Sequence, residues 1–410
     1  MHVYNYVHIH TQTINLHEHK CGIVVNVENI KRNKPTKMNR IFLLTLMFTS
    51  VAVFGQLKSD KLATKETALT YIEGSYAQRV SVPDTQSLNE AQPAVSTILA
   101  AFDKYPIVAL GMSHWQQSEA DFTLELVRNP EFPKKVNDIV VECGNPLYQA
   151  VLDHYIAGDT VDIEKLQLVW RNTTQPGRCD PRQHKELLDA VREVNRLLPP
   201  THKIRVLAGD SPINWEMIRK PEDVQKFLSQ RDPDFASVVQ HEVLEKHRKA
   251  LLIIGAAHVL RRPVSWRNEN SSPAPTITML LESKFPNSTF IIIPHDGFGE
   301  RLSEFEKRFV KWEKPSIVLL KKSWLGDVEG GVLFGGNIRR VGSDPRQIDD
   351  PYPGFRLNDL ADAFLYLGPL SSLSRVEFPS PEAGSDYARE LERRRNLLGE
   401  EPAPARIVPH

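Results

Sequence analysis

The sequence predicts an α/β fold with three layers: a mostly parallel central sheet, helices on both faces, and a C-terminal extension. Short apolar runs rich in β-formers alternate along the chain with longer helical patterns. The runs are apolar throughout, which is typical of parallel strands that helices cover on both faces. A chain of 410 residues that is 41% hydrophobic is long enough to bury such a core.

The predicted strands and helices follow each other in a regular order. Strands are expected at 107–111, 138–142, 204–208, 250–255, 289–294 and 316–320. Helical spacing of apolar residues falls between them, at about 116–128, 146–157, 181–198, 235–249 and 276–283. Residues 57–103 are predicted to form a helical lead-in with a polar loop.

The character of the chain changes near residue 330. The segment 326–336 is rich in glycine, and 345–353 is rich in proline and aspartate. We therefore expect a main domain over 57–330 and a C-terminal extension over 331–410. In this extension the apolar run 361–369 is predicted to pack on the main domain, a charged helix follows, and the end is predicted to be loose.

The N-terminal part has the layout of a secretory signal peptide. Arg40 precedes an apolar run, 41–54, that ends in small residues before Gln56. We predict a signal peptide over 38–55, an upstream segment over 1–37 outside the native protein, and a secreted or periplasmic mature chain. The apolar run is shorter than the roughly 20 residues that span a bilayer, so no stable membrane span is expected after processing.

Charge and motifs exclude several classes of function. Lys and Arg together number 51, as do Asp and Glu, so the sequence indicates no nucleic-acid partner. The sequence has no phosphate-binding loop, no dinucleotide fingerprint, no H-E-x-x-H zinc-binding motif and no G-x-S-x-G nucleophile motif. The oligomeric state is not predictable from these features.

Ionisable residues follow the ends of five successive predicted strands. They are His114, Glu142, Asp210, His258 and His295. In open parallel sheets, ligands bind beyond the carboxyl ends of the strands. The sequence therefore predicts a functional site at this edge of the sheet.

The predicted catalytic residues are His114, Glu142 and His258, and two chemistries remain open. Two imidazoles and a carboxylate could hold a divalent metal ion in an open site and lower the pKa of its bound water. Alternatively, Glu142 could orient a histidine that acts as general base on water. Glu119 is a candidate supporting residue, as a further ligand, an orienting group or a charge at a helix N-terminus.

Two G-x-x-H motifs, at 111–114 and 255–258, with Glu142 between them resemble the superfamily that joins erythromycin esterases, TIKI/TraB-type proteins and ChaN-like haem-binding lipoproteins. The stretch 187–210 is similar to the esterase pattern of an Arg–x–x–Asn helix followed by a strand that ends in Gly-x-Asp. This similarity makes Arg192 and Asp210 supporting residues.

The resemblance covers about 105–300 and implies catalytic or metal-binding roles for both motif histidines and Glu142. It departs from the erythromycin esterases at Met112, where those enzymes carry a glutamate. The expected function is therefore that of an exported hydrolase acting on a small-molecule ester or peptide. The alternatives are a ChaN-like haem- or iron-binding protein, with Tyr148 and His154 as candidate ligands, and a non-catalytic relative.

Two cysteines, Cys143 and Cys179, remain after the predicted cleavage. Export favours oxidation and hence a disulfide, whereas the position of Cys143 at a strand end also suits a buried thiol. We predict that the two cysteines are not bonded.

Overall fold

A computed structural model gives the fold of the chain. It describes residues 91–113, 116–179, 182–263, 274–295, 302–309, 311–328, 330, 355–379 and 381–399, all within one compact unit. The predicted upstream segment, signal peptide and chain end after residue 399 lie outside the described residues. In the parts that are described, no helix is both long and apolar enough to cross a membrane.

The described residues build one sheet of eight strands. These are β1 (Ala91–Pro93), β2 (Ile107–Met112), β3 (Asp138–Val141), β4 (Arg205–Ala208), β5 (Ala250–Gly255), β6 (Thr289–Pro294), β7 (Ser316–Leu319) and β8 (Ala363–Tyr366). Their order across the sheet is β1-β7-β8-β6-β2-β5-β3-β4. Among the strands of the described residues, only the pairs β1–β7 and β7–β8 are antiparallel, so the prediction of a mostly parallel sheet is confirmed.

Helices cover both faces of the sheet. They are α1 (Ala94–Ala101), α2 (Gln117–Arg128), α3 (Phe132–Lys135), α4 (Gln149–Ala157), α5 (Ile163–Arg171), α6 (Arg182–Arg196), α7 (Pro221–Leu228), α8 (Arg231–Val239), α9 (Ile277–Lys284), α10 (Leu302–Phe309), α11 (Leu357–Leu360) and α12 (Asp386–Leu397). Alternate residues of β2 enter opposite cores: Val108 and Leu110 pack with α2, α4 and α6, and Ile107 and Ala109 pack with α8 and α9. This alternation confirms the three layers.

The apolar run predicted to pack on the main domain as an extension instead forms β8 inside the sheet, between β7 and β6. All four residues of β8 are buried, and two of them, Phe364 and Tyr366, are large aromatic residues. An apolar strand of this kind gains most by burial on both faces, which a position inside the sheet supplies. The sheet therefore extends beyond residue 330.

Two side-chain amides cover the outer edge of β4. Gln149 donates to the carbonyl of Val206 at 2.8 Å and accepts from the N–H of Ala208 at 2.8 Å. Asn195 bonds in the same two-way manner to the carbonyl and N–H of Ile204, each at 2.8 Å. The two amides thus take backbone positions that a ninth strand would occupy.

Candidate functional site

The strand order brings the ends of β2, β5 and β3 side by side. Met112 is opposite Gly255, and Val141 is opposite Ile253, in parallel register. We call the side of the sheet where these strands end the carboxyl edge. Glu142 directly follows β3, and His258 lies in a short 3₁₀ turn, Ala256–Val259, that directly follows β5. His114 lies outside the described residues.

Glu142 is buried, and its two carboxylate oxygens accept several hydrogen bonds. Oε2 accepts from the backbone N–H of Gly255 at 2.7 Å. Oε1 accepts from the amide of Gln175 at 2.6 Å and from the guanidinium of Arg231. These donors come from a neighbouring strand, a loop and a helix, so the orientation of the carboxylate is fixed from three sides.

His258 is buried beside Glu142 and is held at its other ring nitrogen. Nδ1 is hydrogen-bonded to Oδ1 of Asp232, on the first turn of α8. Nε2 lies 3.9 Å from Oε1 of Glu142, which is too far for a direct hydrogen bond. In a neutral imidazole, the carboxylate at Nδ1 favours the tautomer whose lone pair is on Nε2, the ring nitrogen nearer Glu142.

Arg231 links the carboxylates of the site. Its guanidinium contacts Glu142 and lies 3.4 Å from Oδ1 of Asp210. Burial disfavours the charged guanidinium, but Glu142, Asp210 and Asp232 outweigh burial and raise the pKa of Arg231 above its ordinary value. Burial raises the pKa of Asp210, against the opposing effect of Arg231 and of hydrogen bonds from Thr174.

The loop 172–179 closes over the carboxyl edge. Thr174 donates from its N–H (2.5 Å) and hydroxyl (2.7 Å) to Asp210, and Gln175 donates to Glu142. At the end of the loop, Cys179 is bonded to Cys143, with Cα atoms 5.4 Å apart. The prediction that the two cysteines are unbonded is therefore wrong, because the loop folds back onto the end of β3.

Glu119 is buried and holds the turn that follows β2. It accepts from the N–H of Ser113 at 2.7 Å and from its hydroxyl at 2.8 Å. Glu119 also lies in the first turn of α2. Gly111, in the same strand, packs closely on the backbone of Ala256, since a Cβ at this glycine would lie 2.9 Å from the Cα of Ala256.

Arg192 does not join the cluster at the carboxyl edge. It donates to the carbonyls of Tyr155, Gly158 and Asp159, at 2.6–2.7 Å, where α4 ends. Asn195, one turn further along α6, bonds to Ile204 at the amino end of β4. The Arg–x–x–Asn pattern thus fixes a helix end and a sheet edge, on the side of the sheet opposite the candidate site.

His295, the ionisable residue after β6, is also turned away from the cluster. It is fully buried among Phe309, Phe364 and Tyr366, with Nε2 3.2 Å from Oε1 of Glu306. Burial lowers the pKa of His295, with an opposing contribution from Glu306. His295 therefore belongs to the aromatic core on this face of the sheet.

The contacts at Glu142 and His258 do not suit a divalent metal ion. Arg231 contacts the same Glu142 oxygen that faces His258, and a guanidinium at that atom repels a cation. A second group of metal-ligand types, Cys143, Cys179 and His184, lies within 4.8 Å, but a disulfide offers no thiolate.

The two candidate iron ligands of the haem alternative already have hydrogen-bond partners. The hydroxyl of Tyr148 accepts from Asn172 at 2.6 Å. His154 is exposed in the last turn of α4, where Nδ1 lies 2.7 Å from Asp159. Neither side chain reaches the cluster around Glu142.

No protein-family model and no curated protein matches this sequence. Solved structures similar in fold include a succinoglycan biosynthesis protein, at 9% identity and a TM-score of 0.50 over 73% of this chain and 100% of that one. They also include a mutant of the erythromycin esterase EreC in its open conformation (12% identity, TM-score 0.44, 70% and 94% coverage). A third is the haem-bound ChaN of Campylobacter jejuni (14%, 0.33, 50% and 87%). At these identities the likeness concerns the fold alone.

Proposed function

We propose that the protein is a hydrolase in which His258 and Glu142 together position and deprotonate a water molecule that attacks an ester or peptide bond of a small molecule. The observation that carries this proposal is the 3.9 Å separation between Nε2 of His258 and Oε1 of Glu142. A single water placed about 2.8 Å from each atom would bridge them. Asp232 at Nδ1 gives His258 the tautomer that a general base needs.

In the proposed reaction, the water oxygen bonds to the carbonyl carbon while one water proton passes to Nε2 of His258. The imidazolium that forms lies between Asp232 and Glu142, whose negative charges stabilise it. As the tetrahedral intermediate collapses, the bond to the leaving group breaks and Nε2 returns the proton to that group. His114 is proposed as the second catalytic histidine, on the strength of the motif it shares with His258.

The test is hydrolysis by the purified chain from residue 56 onward, assayed on p-nitrophenyl esters and small peptides. His258→Ala and Glu142→Gln should each lower kcat/KM by about 10²-fold or more, the range of a lost general base. His154→Ala is the matched control, since this histidine is exposed and remote, and should retain wild-type rates. A folded His258→Ala variant with full activity would refute the proposal.

The same experiment separates the metal-free reaction from a metal-dependent one. Metal content of the purified protein is measured alongside activity before and after dialysis against a chelator. We expect unchanged rates and less than stoichiometric metal. Rates that fall with the chelator and return with one divalent ion would favour the metal-bound water instead.

We further propose that the protein is exported. A disulfide between Cys143 and Cys179 is typical of oxidising compartments and agrees with the signal-peptide layout of 38–55. N-terminal sequencing of the protein from the periplasm or culture medium should give a start near Gln56. A mature protein that retains residues 1–37 would contradict this.

A further inference from the structure

We propose that a pocket beside Glu142 binds a short aliphatic group of the substrate, so that the preferred substrates are esters or amides of short-chain acids. This inference rests on the proposed hydrolysis and specifies its substrate class. The pocket lies between the ends of β2, β5 and β3 and the two helices above them, α2 and α6. We call it the aliphatic pocket.

The lining of the aliphatic pocket is mainly apolar. Met112 comes from β2, Ile253 from β5 and Val141 from β3, while Ala120 and Leu124 come from α2. Glu142, Arg178 and His184 are its titratable members, and the disulfide contributes Cys143. Ser113, Gln116, Thr123 and Gln183 are its uncharged polar members. An apolar surface with polar groups at its border is typical of a site that binds a hydrocarbon group and orients it by a polar end.

The size of the pocket limits that group. Its volume is about 80 Å³. That is roughly half the ~150 Å³ of an engineered apolar cavity that takes up benzene. A chain of two to four carbons therefore fits, whereas a longer acyl chain has to leave part of its length outside.

Glu142 connects the pocket to the proposed chemistry. Glu142 is a lining residue of the aliphatic pocket, and its Oε1 lies 3.9 Å from Nε2 of His258. An aliphatic group bound in the pocket thus holds the adjoining carbonyl next to Glu142, where the proposed water attacks. Binding of the aliphatic group in the pocket therefore also fixes how close the substrate carbonyl lies to the proposed water.

Two residues of α2 line the pocket and are suited to testing its size. Ala120 and Leu124 are four positions apart, so they lie on one face of the helix, and both are only half-buried. Ala120→Leu adds bulk to the pocket, and Leu124→Ala removes it. Glu125→Leu is a matched control, because it places the same added side chain on the exposed face of the same helix.

The experiment compares kcat/KM for p-nitrophenyl acetate, butyrate and octanoate. We expect kcat/KM of the wild type to be about tenfold or more higher for the butyrate than for the octanoate. One methylene that does not fit a hydrophobic pocket typically has an effect of about this size. Ala120→Leu should lower the butyrate rate at least tenfold relative to acetate. Leu124→Ala should raise octanoate relative to butyrate, and Glu125→Leu should leave the profile unchanged. Equal losses on all three esters in Ala120→Leu would overturn the proposal.

Binding of butyramide, measured by calorimetry, separates a failure of the pocket from a failure of the hydrolysis. Wild type and His258→Ala should bind butyramide equally, and Ala120→Leu should lose at least tenfold in affinity. Absence of hydrolysis with this binding pattern would refute the proposed reaction and support the pocket. Binding that is absent, or unchanged in Ala120→Leu, would overturn the pocket.

Discussion

Replacing Asp232 by Asn should lower kcat of the proposed hydrolysis by about 10²–10³-fold with little change in KM or in folding. The amide has the shape of the carboxylate but no charge, and it can present its NH₂ group to Nδ1 of His258. The ring would then carry its proton on Nε2, the atom that must accept one from water. The loss falls on kcat because Asp232 acts through His258 and not on the substrate.

The magnitude follows from the surroundings of the pair. Asp232 and His258 are 8% and 6% exposed, so bulk water screens their interaction weakly. Two unit charges about 4 Å apart interact by about 4 kcal/mol at an effective dielectric constant near 20. Lost in full from the transition state, this equals about three powers of ten in rate. The positive charge of Arg231 offsets part of the effect of Asp232 on the imidazolium, which gives the lower limit of the expected loss, about 10²-fold.

The control for Asp232→Asn is Asp234→Asn. Asp234 lies two residues further along α8 and accepts a hydrogen bond from Ser211 at 2.6 Å. Steady-state kinetics on the best ester, with thermal melting of each variant, provide the comparison. If Asp232→Asn retained the kcat of Asp234→Asn, or lost activity only by melting, Asp232 would not orient His258.

Three further predictions concern the disulfide, the amino end of the sheet and a buried histidine. Cys179→Ser should cost about 2–4 kcal/mol of stability, since the disulfide joins residues that are 36 positions apart. It should also reduce activity severalfold, because Gln175 in the same loop is then held less firmly against Glu142. Reductant should have no additional effect on the melting temperature or the rate of this variant. Asp138→Asn should cost about 3–5 kcal/mol in urea denaturation with kcat unchanged, because this fully buried carboxylate pairs with Arg205 and Arg248 at the end of β3 opposite the site. The pKa of His295 is lowered in the folded protein, so at acidic pH the unfolded chain binds a proton that the folded chain does not. The contribution of His295 to stability is therefore complete above its ordinary pKa of about 6.5 and is lost as pH falls through the lowered folded value. Unfolding free energy should therefore drop as pH falls below about 6.5, by up to about 1.4 kcal/mol per pH unit. An unchanged slope in His295→Gln would contradict this source.

The sequence predicted the sheet because continuous apolar runs mark buried strands, and the strand ends mark the carboxyl edge. Glu142 and His258 meet there, although 116 positions of chain separate them, because β5 lies next to β3. The order of strands is a property of long-range packing, so the place of β8 inside the sheet could not be read from its late position in the chain.

The partners of the candidate site were harder to find in the sequence. Arg231 and Asp232 begin a helix, and an acidic residue in a first helical turn is ordinary. Only their contacts with Glu142 and His258 distinguish them. Gln175 stands in a long loop between two helices, which is a general signal of function, but the loop's path over β3 depends on the bond from Cys179.

The amide pairs along β4 have a consequence for the solubility of the folded chain. An open strand edge is a template on which a strand of another molecule can add, and growth from such edges leads to aggregation. Asn195 bonds to the N–H and C=O of Ile204, Gln149 bonds to the C=O of Val206 and the N–H of Ala208, and neither side chain contributes a backbone that could pair further. The asparagine of the Arg–x–x–Asn pattern therefore protects each molecule against templated association with its copies, a role that is independent of any reaction at the opposite side of the sheet.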